Sequence, residues 1–302
     1  GVSQMEFAKP PLEFAHQLEK LKERGLVIAC SNTAAFYLSQ INYYRFGTYC
    51  WTFFTDYNAH RFWPGTTFEQ VLDLYIFDRE LRLLMLDAIE RIEISVRTQW
   101  AYHLSHFAGP HAHLDKQNFN LKGFAHQDFI EQLQLELRRT TEPNILRQIQ
   151  KYDEATPAIW ICCEVLSFGW LSKAVSGLAR RRLKQNIADN FGLNEVVLTS
   201  LLHHLVTVRN ICAHHSRLWN RDFTITTKLP TNGDQKTISS LNPTKPRELY
   251  NTLVLVAHVM NKIAPDNQWR HRLVDLLHRY PATDTSAMGF PAYWRNRAIW
   301  QF

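Results

Sequence analysis

Residues 67–105 of the chain read TFEQVLDLYIFDRELRLLMLDAIERIEISVRTQWAYHLS. Apolar residues recur there at spacings of three and four, which is the period of one face of an α-helix. That face comprises Leu72, Tyr75, Ile76, Leu83, Leu86, Ile89, Ile92 and Val96. Thr67 and Gln70 have the spacing of a capping box, so we expect the helix to begin there. A helix of this length, with only 11 glycines in 302 residues, predicts an all-α protein.

Similar spacings continue on both sides of this segment. Further helices are predicted over residues 10–24, 126–151, 194–215, 246–263 and 267–279. Pro157 is placed to start another helix, which is interrupted near Phe168 and Gly169. Residues 107–123 are typical of a loop, and residues 224–245 of a long loop or a short hairpin.

The predicted elements group into three segments of one compact unit. Residues 1–66 form an N-terminal helical segment that packs on a helical core of residues 67–223. Residues 224–302 add a loop and a helical C-terminal extension. With 45% hydrophobic and 21% charged residues, the chain can bury a sizeable core.

The composition favours an anionic partner and a reducing compartment. The net charge of +6 places nucleic acid first among possible partners. Arg180, Arg181 and Arg182 could contact an RNA backbone or form a solvated basic turn. Five cysteines without a CxxC pair make a disulfide framework or a thiolate zinc site unexpected, so we expect a cytoplasmic protein. The apolar runs are short, and neither a membrane span nor a secretory signal is expected.

The predicted helix at residues 194–215 starts from an Asn194 cap, and two stripes follow it. The apolar stripe, expected to pack on the core, comprises Leu198, Leu201, Leu205, Val208 and Cys212. The polar stripe comprises His203, Thr207, Asn210 and His214. Such a polar stripe beside a rigid core stripe is a good scaffold for a functional site, although a solvated helix face has the same pattern.

Arg209 and His214 are the candidate catalytic pair of this helix, with Asn210 in support. Their spacing of five residues separates them by about 140° and about 7.5 Å along a straight helix. The two side chains therefore converge on one phosphate only in two ways. The helix ends or distorts near His214, or two copies of the chain face each other across a dimer.

These residue types suit the cleavage of RNA by its own 2′-hydroxyl. A histidine, with an ordinary pKa of about 6.5, can take or supply the proton at neutral pH. A guanidinium can stabilise the charge that develops on the phosphorane. This chemistry needs no metal and no cofactor, and the sequence shows no carboxylate cluster that would hold a metal ion.

Polar residues near the catalytic pair are candidates for substrate binding. They are His203, His215, Arg217 and Asn220. Trp219 lies among them and could stack on a base, but we favour a core anchor that ends the helix.

Arg209-Asn210 followed by His214 resembles the Arg-x4-His signature of the HEPN superfamily, whose all-helical members are often metal-independent ribonucleases. The broader chain resembles the Abi-like (abortive infection) family of bacterial phage-defence proteins. The supporting segments are KPP at 9–11, NYYRF at 42–46, YIFDRELR at 75–82, IERIE at 89–93, FG at 168–169 and residues 209–220.

The resemblance implies a HEPN-like helical bundle with additional N- and C-terminal helices. It also implies a toxin-like ribonuclease that acts as a homodimer with a composite site, together with an antitoxin or a phage-derived trigger. Arg209, Asn210 and His214 are the residues that match the catalytic motif. The resemblance identifies no RNA target.

Three alternatives remain open at this stage. Glu93 and Arg97 have the spacing of a helical ion pair, and we favour a purely structural pair over one that steers Arg209. The chain could be a non-catalytic HEPN-like module that binds RNA or a protein. A metal site built from His203, His204, His214 and His215 is the least favoured, since no acidic ligand completes it.

Overall fold

A computed structural model describes residues 4–302, and its helices confirm the predicted all-α class. The N-terminal helices are α1 (Phe14–Glu23), α2 (Ser31–Ile41), α3 (Tyr43–Cys50) and the 41-residue α4 (Phe68–Ala108). The middle helices are α5 (His126–Arg139), α6 (Pro143–Lys151), α7 (Ile159–Cys162), α8 (Phe168–Ser176), α9 (Arg181–Asp189) and α10 (Glu195–Ala213). The last helices are α11 (Gln235–Ile238), α12 (Tyr250–Ile263) and α13 (Trp269–Arg279). Strands β1 (Phe54–Asp56) and β2 (Arg61–Phe62) form a short antiparallel hairpin.

The chain forms two compact units, and the first extends to Glu80 and includes Tyr280–Thr283. Its core is made by apolar faces of α1 to α3 and the start of α4. In that core the Tyr49 hydroxyl donates a 2.5 Å hydrogen bond to the buried Asp78 carboxylate. At the start of α4, the Thr67 backbone N–H donates to Gln70, and the Gln70 N–H donates to the Thr67 hydroxyl. The predicted capping box is therefore confirmed.

The second unit covers Leu81–Arg279 and Asp284–Phe302 and contains α5 to α13. Within it, α10 packs against α8 and α9. By length and composition, α10 is the one helix in residues 4–302 that could cross a membrane. Its apolar residues form part of the core of this unit, which accounts for that composition. The segment boundaries at residues 66 and 223 remain predictions.

The structure differs in detail from three local predictions. Residues 126–151 form two helices, because Pro143 occupies the first position of α6 and disfavours helical backbone before it. The predicted interruption of the helix after Pro157 is present, but it lies just before Phe168, where the Ser167 hydroxyl accepts from the Trp170 backbone N–H and caps α8.

The basic run at residues 180–182 is the third of these. It begins α9, a helix that was not predicted, so it is not a turn between helices. Leu183 and Ile187, one helical turn apart, are buried and hold α9 on the core. Arg181 pairs with the buried Glu195 at 3.0 Å.

The long segment between α10 and α12 is a loop containing the single-turn helix α11, rather than a hairpin. His204 of α10 fixes this loop, since its ring nitrogens lie 2.6 Å from the Ile225 carbonyl and 2.6 Å from the Thr252 hydroxyl. Burial lowers the pKa of His204, which keeps the ring neutral so that one nitrogen donates and the other accepts.

Candidate functional site

Helix α10 presents the candidate residues, and local interactions fix both of its ends. At the start, the Asn194 side chain accepts a 2.8 Å hydrogen bond from the Val197 backbone N–H, as the sequence predicted. Along the helix, every residue of the predicted apolar stripe is buried. The polar stripe faces solvent, with His203, Asn210 and His214 exposed and Thr207 partly exposed.

The end of α10 is a Schellman motif. The His215 N–H donates to the Cys212 carbonyl at 3.1 Å, and the Ser216 N–H donates to the Ile211 carbonyl at 3.0 Å. His215 is left-handed, with φ of +60°, at the position where glycine is usual. The helix therefore ends at His214, as one of the two sequence hypotheses required.

This ending does not rotate His214 towards Arg209. The His214 N–H still donates to the Asn210 carbonyl at 3.0 Å, which is an ordinary α-helical bond. The backbone thus keeps His214 one turn above Asn210, and the angular separation from Arg209 is close to that of a continuous helix. Arg209 and Asn210 are joined directly, by a weak 3.4 Å hydrogen bond between the guanidinium and the amide oxygen.

Arg209 lies at a cavity of about 390 Å³, here called the Arg209 cavity. Its walls come from α4, α5, α10 and the segment that leads into α8. The charged residues that line it are Glu93, Arg97, Glu136, Glu164 and Arg209. Arg97 pairs with Glu93 at 2.8 Å, with 18% and 16% of the two side chains exposed. Arg97 also donates to the Leu166 carbonyl at 3.0 Å, which ties α4 to the wall of the cavity.

Electrostatics couple Glu93 to the motif. Burial raises the pKa of Glu93 above its ordinary value, and the positive charges of Arg97 and Arg209 oppose that rise. The sequence suggested this arrangement only as the less favoured of two explanations for the Glu93–Arg97 pair. In the sequence, this arrangement was indicated by the helical spacing of Glu93 and Arg97 alone. The approach of Arg209 to Glu93 depends on how α10 packs, which local sequence patterns do not show.

His203 lies in a neighbouring cavity of about 650 Å³, here called the His203 cavity. Gly169 and Val206 line both cavities, so the two are adjacent along α8 and α10. Lys173 and Lys228 bring two further positive charges to the His203 cavity. Sequence patterns did not single out these lysines, because Lys228 reaches α10 only through the folding of the long loop.

The other substrate-binding candidates lie in the turn that follows α10. Arg217 donates hydrogen bonds to the carbonyls of Trp219 and Asn220, so its guanidinium helps to shape the turn. Asn220 is exposed and left-handed, with φ of +53°. Trp219 is buried and donates to the Asp284 carbonyl, which confirms the interpretation as a core anchor.

The four histidines of the disfavoured metal site are not equivalent. Both ring nitrogens of His204 are engaged in the core, whereas His203, His214 and His215 are exposed. Within residues 4–302, no three His, Cys, Asp or Glu side chains are grouped so that they could hold a metal ion.

Comparison with known proteins adds one relationship. The sequence model of a family described as "Abi-like protein" matches residues 36–220, which include α10 and the turn after it. No curated protein and no solved structure gives a significant match to the chain.

Proposed function

Because the chain belongs to the Abi-like protein family, we propose that it is a metal-independent endoribonuclease of the HEPN superfamily. The family points to abortive infection, and we place the activity there as a toxin-like step of phage defence. One observation carries the proposal: α10 ends at His214 and presents Arg209, Asn210 and His214 to solvent beside the Arg209 cavity.

Each residue of the motif has a defined part in this proposal. The Arg209 guanidinium binds the scissile phosphate and stabilises the charge of the phosphorane. A His214 imidazole transfers one proton, either from the attacking 2′-hydroxyl or to the leaving 5′-oxygen, and solvent water takes or supplies the other. Asn210 orients the phosphate through its amide. Glu93 acts as a positioning residue, since its carboxylate attracts the Arg209 guanidinium towards the cavity.

The helix geometry supports a composite site in a homodimer. His214 keeps the helical bond to Asn210, so the arginine and histidine of one chain diverge. A second chain related by a two-fold axis would place its own His214 opposite Arg209. RNA then lies along the His203 cavity, where Lys173, Lys228 and His203 supply contacts to the backbone.

The cellular setting is part of the same proposal. All five cysteines are free thiols, which suits the reducing cytoplasm. A toxic ribonuclease also needs restraint, so we propose control by an antitoxin or a phage-derived trigger.

The direct test is incubation of the purified full chain with mixed RNAs in EDTA. We expect cleavage by the wild type and a loss of about a hundredfold or more in Arg209→Ala and in His214→Ala. His16→Ala and Arg147→Ala are matched controls, since both replace exposed side chains that belong neither to α10 nor to the lining of the Arg209 and His203 cavities. These two variants should keep wild-type activity.

Two other results would contradict the proposed ribonuclease mechanism. RNA binding without cleavage, retained in both motif variants, would support the non-catalytic module instead. Activity abolished by EDTA would contradict a metal-independent mechanism.

A further inference from the structure

Outside the proposed active site, the second unit contains a cavity of about 600 Å³, here called the α5–α6 cavity. Helices α5 and α6 form two of its walls, and residues 152–161 form a third. Its volume falls within the range of about 300–1,000 Å³ that is typical of small-molecule sites. It shares no lining residue with the Arg209 or His203 cavities.

Two aromatic side chains line this cavity without being buried. Trp160 is 54% exposed and Tyr152 is 50% exposed. One face of the Tyr152 ring is covered by the Lys151 ammonium group, 5.2 Å from the ring centre. Half-exposed rings at the wall of a cavity offer flat surfaces on which a heteroaromatic ring can stack.

Polar side chains in the same cavity lack partners within the protein. The amides of Gln134 and Gln148 and the guanidinium of Arg138 have no hydrogen bond or ion pair to any of residues 4–302. Two free amides can hydrogen-bond to the edge of a nucleobase, and a free guanidinium can bind a phosphate with its two-pronged geometry. The carboxylate of Glu154, also at this cavity, can accept from an exocyclic amino group.

The wall formed by residues 152–161, which carries Tyr152, Glu154 and Trp160, is fixed by contacts within the protein. The buried His113 ring lies 2.7 Å from the Thr156 hydroxyl, and the His111 ring lies 3.1 Å from the Thr156 carbonyl. The Ile159 N–H donates to the Pro110 carbonyl at 2.7 Å. A wall fixed in this way lowers the ordering cost of binding.

We propose that the α5–α6 cavity binds a nucleotide, with the base on Trp160 and the phosphate on Arg138. The stacking rings, the two amides and the Arg138 guanidinium together match a base that carries a phosphate. Two sources share this chemistry: a free ribonucleotide, and an unstacked nucleotide of single-stranded RNA. The site is separate from the motif on α10, so this proposal goes beyond the proposed catalytic function.

The test is calorimetric titration of the full chain with the four ribonucleoside 5′-monophosphates. We expect at least one of them to bind. Trp160→Ala should weaken that binding about fivefold or more, and Arg138→Ala about tenfold. Matched controls are Trp63→Ala, which removes an exposed tryptophan of the first unit, and Arg139→Ala, which removes the neighbouring arginine paired with Glu136. Both controls should bind like the wild type.

A second arm identifies the source of the ligand. An RNA oligonucleotide with 2′-O-methyl groups, which lacks the attacking hydroxyl, is added in competition with the bound monophosphate. Displacement that is lost in Trp160→Ala indicates that an RNA base enters the cavity, and no displacement indicates a free nucleotide.

The proposal is overturned if no monophosphate binds at millimolar concentration, or if both cavity variants bind like the wild type. Binding by a protein that cleaves no RNA would leave this inference intact and remove the proposed function. RNA cleavage without nucleotide binding would overturn this inference and leave the proposed function intact.

Discussion

At the scale of single residues, the turn after α10 contains an unusual choice of side chain. His215 takes the left-handed position of the Schellman motif, which glycine occupies without steric cost. A non-glycine residue in this conformation costs about 1 kcal/mol, and such strain often occurs at functional sites. We therefore propose that His215, next to the catalytic candidate His214, contacts the substrate.

His215→Gly should therefore separate stability from function. We expect the free energy of unfolding to rise by about 0.5–1 kcal/mol, because glycine relieves the left-handed strain. We also expect weaker RNA binding, seen as a raised KM, because an imidazole at the site is lost. Chemical denaturation and cleavage kinetics measure the two effects.

His60→Gly is the control for RNA binding, since His60 is a second left-handed histidine and lies in the first unit. It should leave the KM unchanged. An unchanged KM in His215→Gly as well would show that His215 does not contact substrate.

At the scale of elements, α10 could be predicted almost completely from its sequence. Its cap at Asn194, its apolar stripe and its polar stripe are all local patterns, and the structure reproduces each of them. Helix α9 was not predicted, because its apolar repeat is short, with Leu183 and Ile187 as its members, and it follows directly on three arginines. The Arg209 cavity could not be predicted, because α4, α5 and α10 meet there through contacts that are distant in sequence.

The free energy of unfolding should depend on the titration of His113, which lies in the loop after α4. Burial lowers the pKa of His113 to about 3, far below the ordinary histidine value of about 6.5. The unfolded chain therefore binds the proton first, so stability is complete above pH 6.5 and is lost as the pH falls towards 3. Between pH 8 and pH 5 this single group should cost about 2 kcal/mol.

The measurement is urea denaturation of the wild type and of His113→Gln at the two pH values. We expect the variant to lose less stability than the wild type over this range, by about that amount. His16→Gln changes an exposed histidine and should follow the wild type. Parallel pH dependence in His113→Gln and the wild type would contradict a depressed pKa for His113.

At the scale of the whole molecule, the composite site requires that two chains share their catalytic residues. A dimer with two-fold symmetry has two such sites, each taking Arg209 from one chain and His214 from the other. Consider a dimer of one Arg209→Ala chain and one His214→Ala chain. One of its two sites keeps both catalytic residues, and the other site has neither.

Co-expression of the two inactive variants should therefore restore activity. Random pairing makes half of the dimers mixed, and each mixed dimer keeps one of its two sites, so we expect about a quarter of wild-type activity. Light scattering should show a dimer. A strict monomer with full activity, or no recovery in verified mixed dimers, would contradict the composite site.

We propose that the chain cleaves RNA by attack of the 2′-hydroxyl, with Arg209 and His214 as the catalytic groups. The most direct measurement is mass spectrometry of the fragments that the wild type produces from a defined RNA in EDTA. We expect 2′,3′-cyclic phosphate and 5′-hydroxyl ends, and no cleavage where the scissile nucleotide is 2′-deoxy. Fragments with 3′-hydroxyl and 5′-phosphate ends, or cleavage at the deoxy position, would contradict it.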